Sequence, residues 1–400
     1  MYSHDTFGLG HLRRTRAIAH ALVERRKDVS VLIISGSPII GSFDFRTRVD
    51  FVRVPGVIKL RNGEYVSLNE HLNIDETVAM RASIIQHTAE FFQPDVFIVD
   101  KEPLGLRGEI EPTLNMLKDG DTRLVLGVRD ILDEPLRVRA EWLRKGAVAA
   151  LERYYDDLWV YGLEQIYNPM QGIQLSERLR ERTDYLGYLR RRVPSGVTRQ
   201  RRNSMDDPFV LVTAGGGGDG DVLIDWVLKA YEHDGDLPCR AHIVTGPFIK
   251  TRVWNSFLRR VARLPKVTIA RFDAHMEQLM AQSVGVVCMG GYNTFCEVLS
   301  LDKPAVIVPR DVPRLEQTIR ANRAAELGLA RVLPGNGNKR DAQIMVDAIR
   351  GLADQPAPSS QAVPGMLDGL GRMGDILDSW FDGDDDKGQK LMSPIRAVGR

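Results

Sequence analysis

Twice along its length this chain runs through the same grammar: a short β-branched stretch, a turn, then a longer amphipathic stretch. In the first half, apolar runs at 29–35, 50–54, 96–99, 123–127 and 157–161 alternate with helical periodicity at 12–26, 73–92, 109–118 and 134–150. The pattern restarts after a polar, basic, turn-rich segment. Strands are expected there at 209–214, 240–245, 266–271, 284–288 and 305–308, and helices at 221–232, 249–264 and 316–327. Strands separated by helices predict parallel sheets covered on both faces. The expected fold class is therefore α/β, with two doubly wound Rossmann-like domains facing across a cleft. In such sheets ligands lie at the carboxyl ends of the strands.

The expected division is a first Rossmann-like domain at 1–188, a linker at 189–207, a second at 208–353, and a final helix with a charged, disordered tail at 354–400. One place resists the pattern. Met1-Tyr2-Ser3 is too short for a first central strand, yet Phe7-Gly8-Leu9-Gly10-His11 reads like the turn that follows one. This raises the expectation that residues of that strand are missing upstream.

Composition narrows the partners. The net charge of +1 gives no general attraction to nucleic acid. The three cysteines have no metal-type spacing, so no metal site is expected and a reducing compartment fits. No segment reaches the length of a transmembrane helix. The expected location is the cytoplasm, with peripheral contact at the inner face of the membrane left open.

Three glycine turns carry the chemistry. Met289-Gly290-Gly291-Tyr292-Asn293-Thr294 joins an apolar strand to a helix and is followed by Glu297. Free N–H groups at a helix N-terminus favour phosphate, and a carboxylate one turn later can accept from sugar hydroxyls. Glu316 and Gln317 open a later helix at the same cleft edge. The run Gly215-Gly216-Gly217-Gly218 costs conformational entropy and implies close contact with a ligand, although no Gly-Lys-Ser/Thr follows to make it a P-loop. Gly8-Leu9-Gly10-His11 offers a general base in His11, with Asp5 a second candidate; Arg13 and Arg14 read as solvated. Segments at Asp100-Lys101 and Arg129-Asp130 end strands and would line the cleft, as acceptor contacts or as loop buttresses.

The run Gly290-Gly291-Tyr292-Asn293-Thr294…Glu297…Lys303-Pro304…Pro309…Glu316-Gln317 resembles the C-terminal domain of GT-B glycosyltransferases of the family 28 type. Within that group it is most similar to the N-acetylglucosaminyltransferases of peptidoglycan lipid intermediates and to a bacterial subgroup of predicted glycosyltransferases. The resemblance implies that Tyr292, Asn293 and Thr294 hold a diphosphate and Glu297 the ribose. It places Phe272 and Asp273 at the base, Glu316 and Gln317 at the donor sugar, and His11 at the acceptor. It also implies an inverting, metal-independent transferase that needs no cofactor, takes a nucleotide-sugar (UDP-sugar foremost) as substrate and passes the sugar to an unidentified hydroxyl. Tyr292 and Arg320 depart from the family pattern and leave the sugar open. The alternatives are a nucleotide-sugar hydrolase of the pseudaminic-acid-pathway type, a sugar 2-epimerase, and a non-catalytic nucleotide-sugar-binding protein.

Overall fold

Parallel pairing organises both halves of the molecule, seen in a computed structural model that describes residues 1–4, 10–59, 64–193, 207–216, 218–335, 340–361 and 363–382. The first half contains β1 (Tyr2–Ser3), β2 (Val31–Ser35), β3 (Val49–Arg53), a separate hairpin of β4 (Val57–Lys59) and β5 (Tyr65–Ser67), then β6 (Val96–Asp100), β7 (Arg123–Arg129), β8 (Asp157–Tyr161) and β9 (Thr183–Tyr185). Its seven-stranded sheet runs β3-β2-β1-β6-β7-β8-β9. The second half contains β10 (Phe209–Thr213), β11 (Arg240–Val244), β12 (Val267–Ala270), β13 (Gly285–Cys288), β14 (Ala305–Ile307) and β15 (Arg331–Val332), in the order β12-β11-β10-β13-β14-β15. The first sheet is covered by α1 (Gly10–Arg25), α2 (Ile74–Phe92), α3 (Glu111–Lys118), α4 (Pro135–Arg144), α5 (Ala147–Tyr154) and α6 (Glu177–Glu181). The second carries α7 (Asp221–His233), α8 (Thr251–Val261), α9 (Met276–Gln282), α10 (Tyr292–Ser300), α11 (Glu316–Glu326) and α12 (Ala342–Arg350), and α13 (Gly369–Asp382) ends the described chain.

Strand order reverses between β1 and β6 in one sheet and between β10 and β13 in the other. These reversals open crevices at the strands' carboxyl ends, where ligands bind in doubly wound sheets. The crevice positions belong to the start of α1 at Gly10 and His11 and to the two glycine turns of the second half.

The structure corrects the reading of the first strand. Two residues do form a central strand: Tyr2 registers with Ile34 on one side and Val99 on the other. A buried polar anchor compensates for its shortness. The Tyr2 hydroxyl donates to Glu109, which pairs with Arg81 in the interior. Arg81 also donates to the Pro55 carbonyl at 2.6 Å and the His4 carbonyl at 3.2 Å. A satisfied buried network of this kind sets backbone position more firmly than a short ladder alone.

The single helix expected over 134–150 is two helices. Gly146 takes a left-handed φ of 62° between α4 and α5, the conformation that ends helices and that glycine adopts without a Cβ clash. α2 begins with a reciprocal capping box, in which Asn73 and Glu76 each accept the other's backbone N–H at 2.9 Å. α13 packs back on the first half: Trp380 stacks on Trp159 at 5.7 Å, and the Arg123 guanidinium lies 3.9 Å over the Trp380 ring. Most of the expected linker (194–206) and the charged tail from 383 fall outside the described residues. Among the described residues no helix is long and apolar enough to cross a membrane.

Candidate functional site

The first-domain half of the candidate site is built where β1 and β6 meet. α1 opens with Gly10 and His11, and Asp100 is the last residue of β6. The His11 Nδ1 lies 2.5 Å from the Asp100 carboxylate. Arg14, one helical turn after His11, forks onto the same carboxylate at 2.6–2.9 Å. Burial pushes the Asp100 pKa up, but Arg14 and then His11 more than offset it and hold the carboxyl well below its usual range. An ionised Asp100 favours the tautomer with the proton on Nδ1, which leaves Nε2 to take a proton from a hydroxyl. Arg14 also lies 3.1 Å from Nδ1. The shorter contact with a carboxylate decides the tautomer over that donor-to-donor approach. The buried His4 ring packs edge-on against His11 with centroids 4.6 Å apart, and burial keeps His4 neutral by lowering its pKa far below normal.

The expectation of solvated arginines at 13 and 14 is overturned. Arg14 is 2% exposed. Arg13 reaches across the cleft, placing Nη2 2.5 Å from Glu297 and 3.1 Å from Glu277. The helical repeat sends consecutive residues to different partners, and both partners are buried carboxylates that demand a cation. Asp5 and Gly8 lie outside the described residues.

The second-domain half is built where β10 and β13 meet. Gly290 has φ +72°, and a Cβ there would stand 2.7 Å from Ile307 Cγ2, so glycine is required twice over. Gly291 caps α10, and Phe295 is the first residue whose N–H closes onto a capping-region carbonyl, that of Gly291. The N–H groups of Tyr292, Asn293 and Thr294 therefore precede the helical ladder. Side chains here serve the seam between the domains. Asn293 donates to the Gly10 carbonyl and accepts from Arg191, both at 2.8 Å. Tyr292 is buried, with the guanidinium carbons of Arg14 and Arg320 lying 5.7 and 5.8 Å from its ring. Its bulk thus fills the seam. The Asn293–Gly10 contact also brings the N-termini of α1 and α10 together, so two helix dipoles present their positive ends to one place.

Glu297 is 1% exposed, and burial pushes its carboxyl up to about 7 even with Arg13 beside it. Thr213, Gly215, Phe272, Asp273 and Glu277 line a narrow pocket, with Arg13, Arg16 and Phe43 supplying its wall from the first domain. Gly215 holds φ +70° and its N–H donates to Thr213 Oγ1 at 3.3 Å. Gly216 follows it in the turn, and Gly217 is outside the described residues.

Glu316 and Gln317 form a second donor-side cluster around Arg310, which the sequence reading did not single out. Arg310 donates to Glu316 at 3.1 Å, and its backbone N–H donates to Gln317 at 3.2 Å. The same guanidinium lies 2.6 Å from Asp219 of the glycine loop. Arg320, which departs from the family pattern, forks onto Asp130 of the first domain at 2.6–2.8 Å and donates to the Gly290 carbonyl at 3.0 Å. It ties the glycine turn to the opposite domain. His4 and Arg310 were missed although each lies next to a quoted motif, because neither is one of its defining residues; position at a strand's carboxyl end was the available signal.

Comparison with known proteins bears on the fold. Residues 209–356 match the model of the glycosyltransferase family 28 C-terminal domain. A search of curated proteins finds no matching sequence. Among solved structures, the calicheamicin glycosyltransferase CalG4 superposes with a TM-score of 0.59 at 15% identity, over 95% of this chain and 98% of that one. Phytolacca americana UGT2, complexed with UDP-2fluoro-glucose and pterostilbene, gives 0.58 at 13% identity over 93% of each chain. MurG of Acinetobacter baumannii gives 0.51 at 12% identity, over 92% of this chain and 96% of that one. The two facing Rossmann-like domains are those of the GT-B glycosyltransferase fold, and the second of them, over residues 209–356, is similar to the glycosyltransferase family 28 C-terminal domain.

Proposed function

We propose that this protein transfers a sugar from a nucleoside diphosphate donor, UDP-sugar foremost, to a hydroxyl acceptor with inversion at the anomeric carbon. One observation carries the reading: the His11–Asp100 pair stands at the point where the N-termini of α1 and α10 converge. That puts a general base beside a site suited to a leaving diphosphate.

In the proposed step, His11 Nε2 takes the proton of the acceptor hydroxyl as its oxygen bonds to the anomeric carbon. The bond from that carbon to the donor's phosphate oxygen breaks, and its electron pair leaves on the nucleoside diphosphate. Attack from the face opposite the leaving group inverts the centre. The imidazolium is stabilised by Asp100 and later returns its proton to water. N–H groups at Tyr292, Asn293 and Thr294 offset the charge growing on the diphosphate, so the step as written requires no metal ion. In this reading the nucleobase is held beside Phe272 and Asp273, which border the pocket at the second domain's edge. Glu297 accepts from the ribose once Arg13 yields, and Glu316, Gln317 and Arg310 address the sugar hydroxyls.

The test is a thermal-shift panel of UDP, dTDP, GDP and ADP with their glucose conjugates. One base should stabilise the chain by about 2.7 kcal/mol at a hundredfold excess over Kd. A flat panel overturns the reading. Free sugar released with no acceptor present turns it into hydrolysis.

A further inference from the structure

The general base is held at one ring atom. Asp100 and Arg14 both approach His11 at Nδ1, the carboxylate at 2.5 Å and the guanidinium at 3.1 Å. Those contacts fix the tautomer. They leave the far edge of the imidazole, where Nε2 sits, to move as the side-chain torsions adjust together, because the terminal torsion of a histidine has no sharp wells. The His11 side chain is 22% exposed, so solvent borders part of the ring and sets no plane for it. Misplacing a reacting group by about 1 Å costs on the order of 10²-fold in rate.

His4 meets the ring from the protein side. It follows directly on β1, is 6% exposed, and packs against His11 with centroids 4.6 Å apart and planes at 62°. Its own Nδ1 is buried without a hydrogen-bond partner. Leaving a polar nitrogen buried and unpaired is costly. That atom gives no polar reason for a histidine here, whereas the ring does meet His11. The backbone of His4 is held in turn. Arg81 donates to its carbonyl at 3.2 Å, and the same guanidinium pairs with Glu109, which accepts from Tyr2. The Arg81 and Glu109 side chains are fully buried. Such a pair is often no more stabilising than apolar residues of equal volume, so what it supplies here is a fixed position for β1 and for the residue after it. Contacts therefore run unbroken from Glu109 through Arg81 and His4 to His11.

We propose that His4 is a positioning residue for the general base: its ring, anchored through Arg81, sets the plane of the His11 imidazole and so directs Nε2 at the acceptor hydroxyl. Being buried, His4 acts through His11 and not on the substrate. The consequence for rate rests on the glycosyl-transfer reading; the control of the ring plane does not. Any planar ring of similar size at this position should serve, and a side chain without a flat face should not.

The test uses the full chain and UDP-glucose, with water as the acceptor: His11 takes a water proton as the oxygen bonds to the anomeric carbon, and UDP leaves. His4→Ala should slow UDP release about thirtyfold while the UDP Kd stays within about twofold. His4→Phe, which restores a ring without nitrogens, should recover turnover to within about threefold of wild type. His4→Leu, of similar bulk with no flat face, should be as slow as the alanine variant and serves in its place if that variant does not fold. Nitrogen spectra of chain labelled at histidine read the geometry without turnover. The Nε2 signal of His11 should be single and sharp in the wild type and the phenylalanine variant, and broadened or split in the alanine and leucine variants. Wild-type turnover in His4→Ala or His4→Leu overturns the proposal. So does a loss of turnover matched by an equal loss of UDP affinity, which makes His4 a structural residue, and so does a phenylalanine variant as slow as the alanine one. A wild type that neither binds UDP nor releases it from UDP-glucose strikes the transfer reading instead. The His11 spectra then still decide the positioning, and a signal unchanged by His4→Ala overturns it.

Discussion

The two faces of the cleft share one plan, a parallel sheet with a glycine turn at its switch point, yet they assemble their chemistry differently. On the donor face, the turn and its carboxylate lie within eight residues, Gly290 to Glu297, on one strand–helix unit. On the acceptor face, His11 meets Asp100 across 89 residues, and His4 packs on it from the end of β1. A contiguous site is positioned by local geometry. A dispersed one depends on sheet register and on buried charge pairs. The donor face is also finished by the other domain, since Arg13 seals Glu297 and Asp130 holds Arg320.

The sharpest way to break this comparison is to remove the base. His11→Ala should lower turnover by about 10²–10⁴-fold while nucleotide affinity stays within about twofold. Steady-state kinetics beside a UDP titration reads both, and a matching loss of UDP binding would mean that the two faces are not separate in function.

Next in size is the seam. Arg320→Met leaves Asp130 buried and unpaired, which should cost about 3–5 kcal/mol in urea unfolding. Arg320→Met with Asp130→Leu should recover most of the loss. An unchanged midpoint in the single variant would show that the ion pair does not hold the faces together.

Glu297→Gln tests the donor face alone. It should weaken UDP about tenfold, on the order of the 1.5 kcal/mol of one hydrogen bond to a charged group, with turnover at saturating donor preserved. A loss in kcat instead would move Glu297 to the chemistry.

The smallest effect is a pH slope. Burial raises the Glu297 pKa from 4.5 to about 7 in the folded chain, so the folded state binds the proton more tightly than the unfolded. The stability from this group is complete below 4.5 and lost as pH rises through 7. At most one proton is involved, so Glu297→Gln should remove up to about 1.4 kcal/mol per pH unit from the slope in that window. Urea midpoints from pH 4.5 to 7.5 check it, and identical slopes would place the proton elsewhere.

Legibility in the sequence followed the same divide. The parallel α/β class was readable from the strand–helix alternation, and the turn at Gly290 was readable because strand, glycines and helix follow one another. His11 was found by its glycines. Asp100 was seen only as a residue ending a strand, with no sign of its partner. Arg13 and Arg14 were misread because basic residues in a first helical turn look solvated until the buried carboxylates opposite them are known. The two-residue β1 was unreadable for a similar reason: its support is Tyr2 on Glu109 and Arg81, a contact made through residues more than 75 positions away.

Periodicity and glycine placement are local properties of a chain, so the sequence by itself determined the layers, the switch-point turns and the helix that opens at Gly291. Which charges are paired is a property of distance in space. Only the tertiary structure decided that Asp100 and Asp130 are satisfied and that Arg13 closes on Glu297.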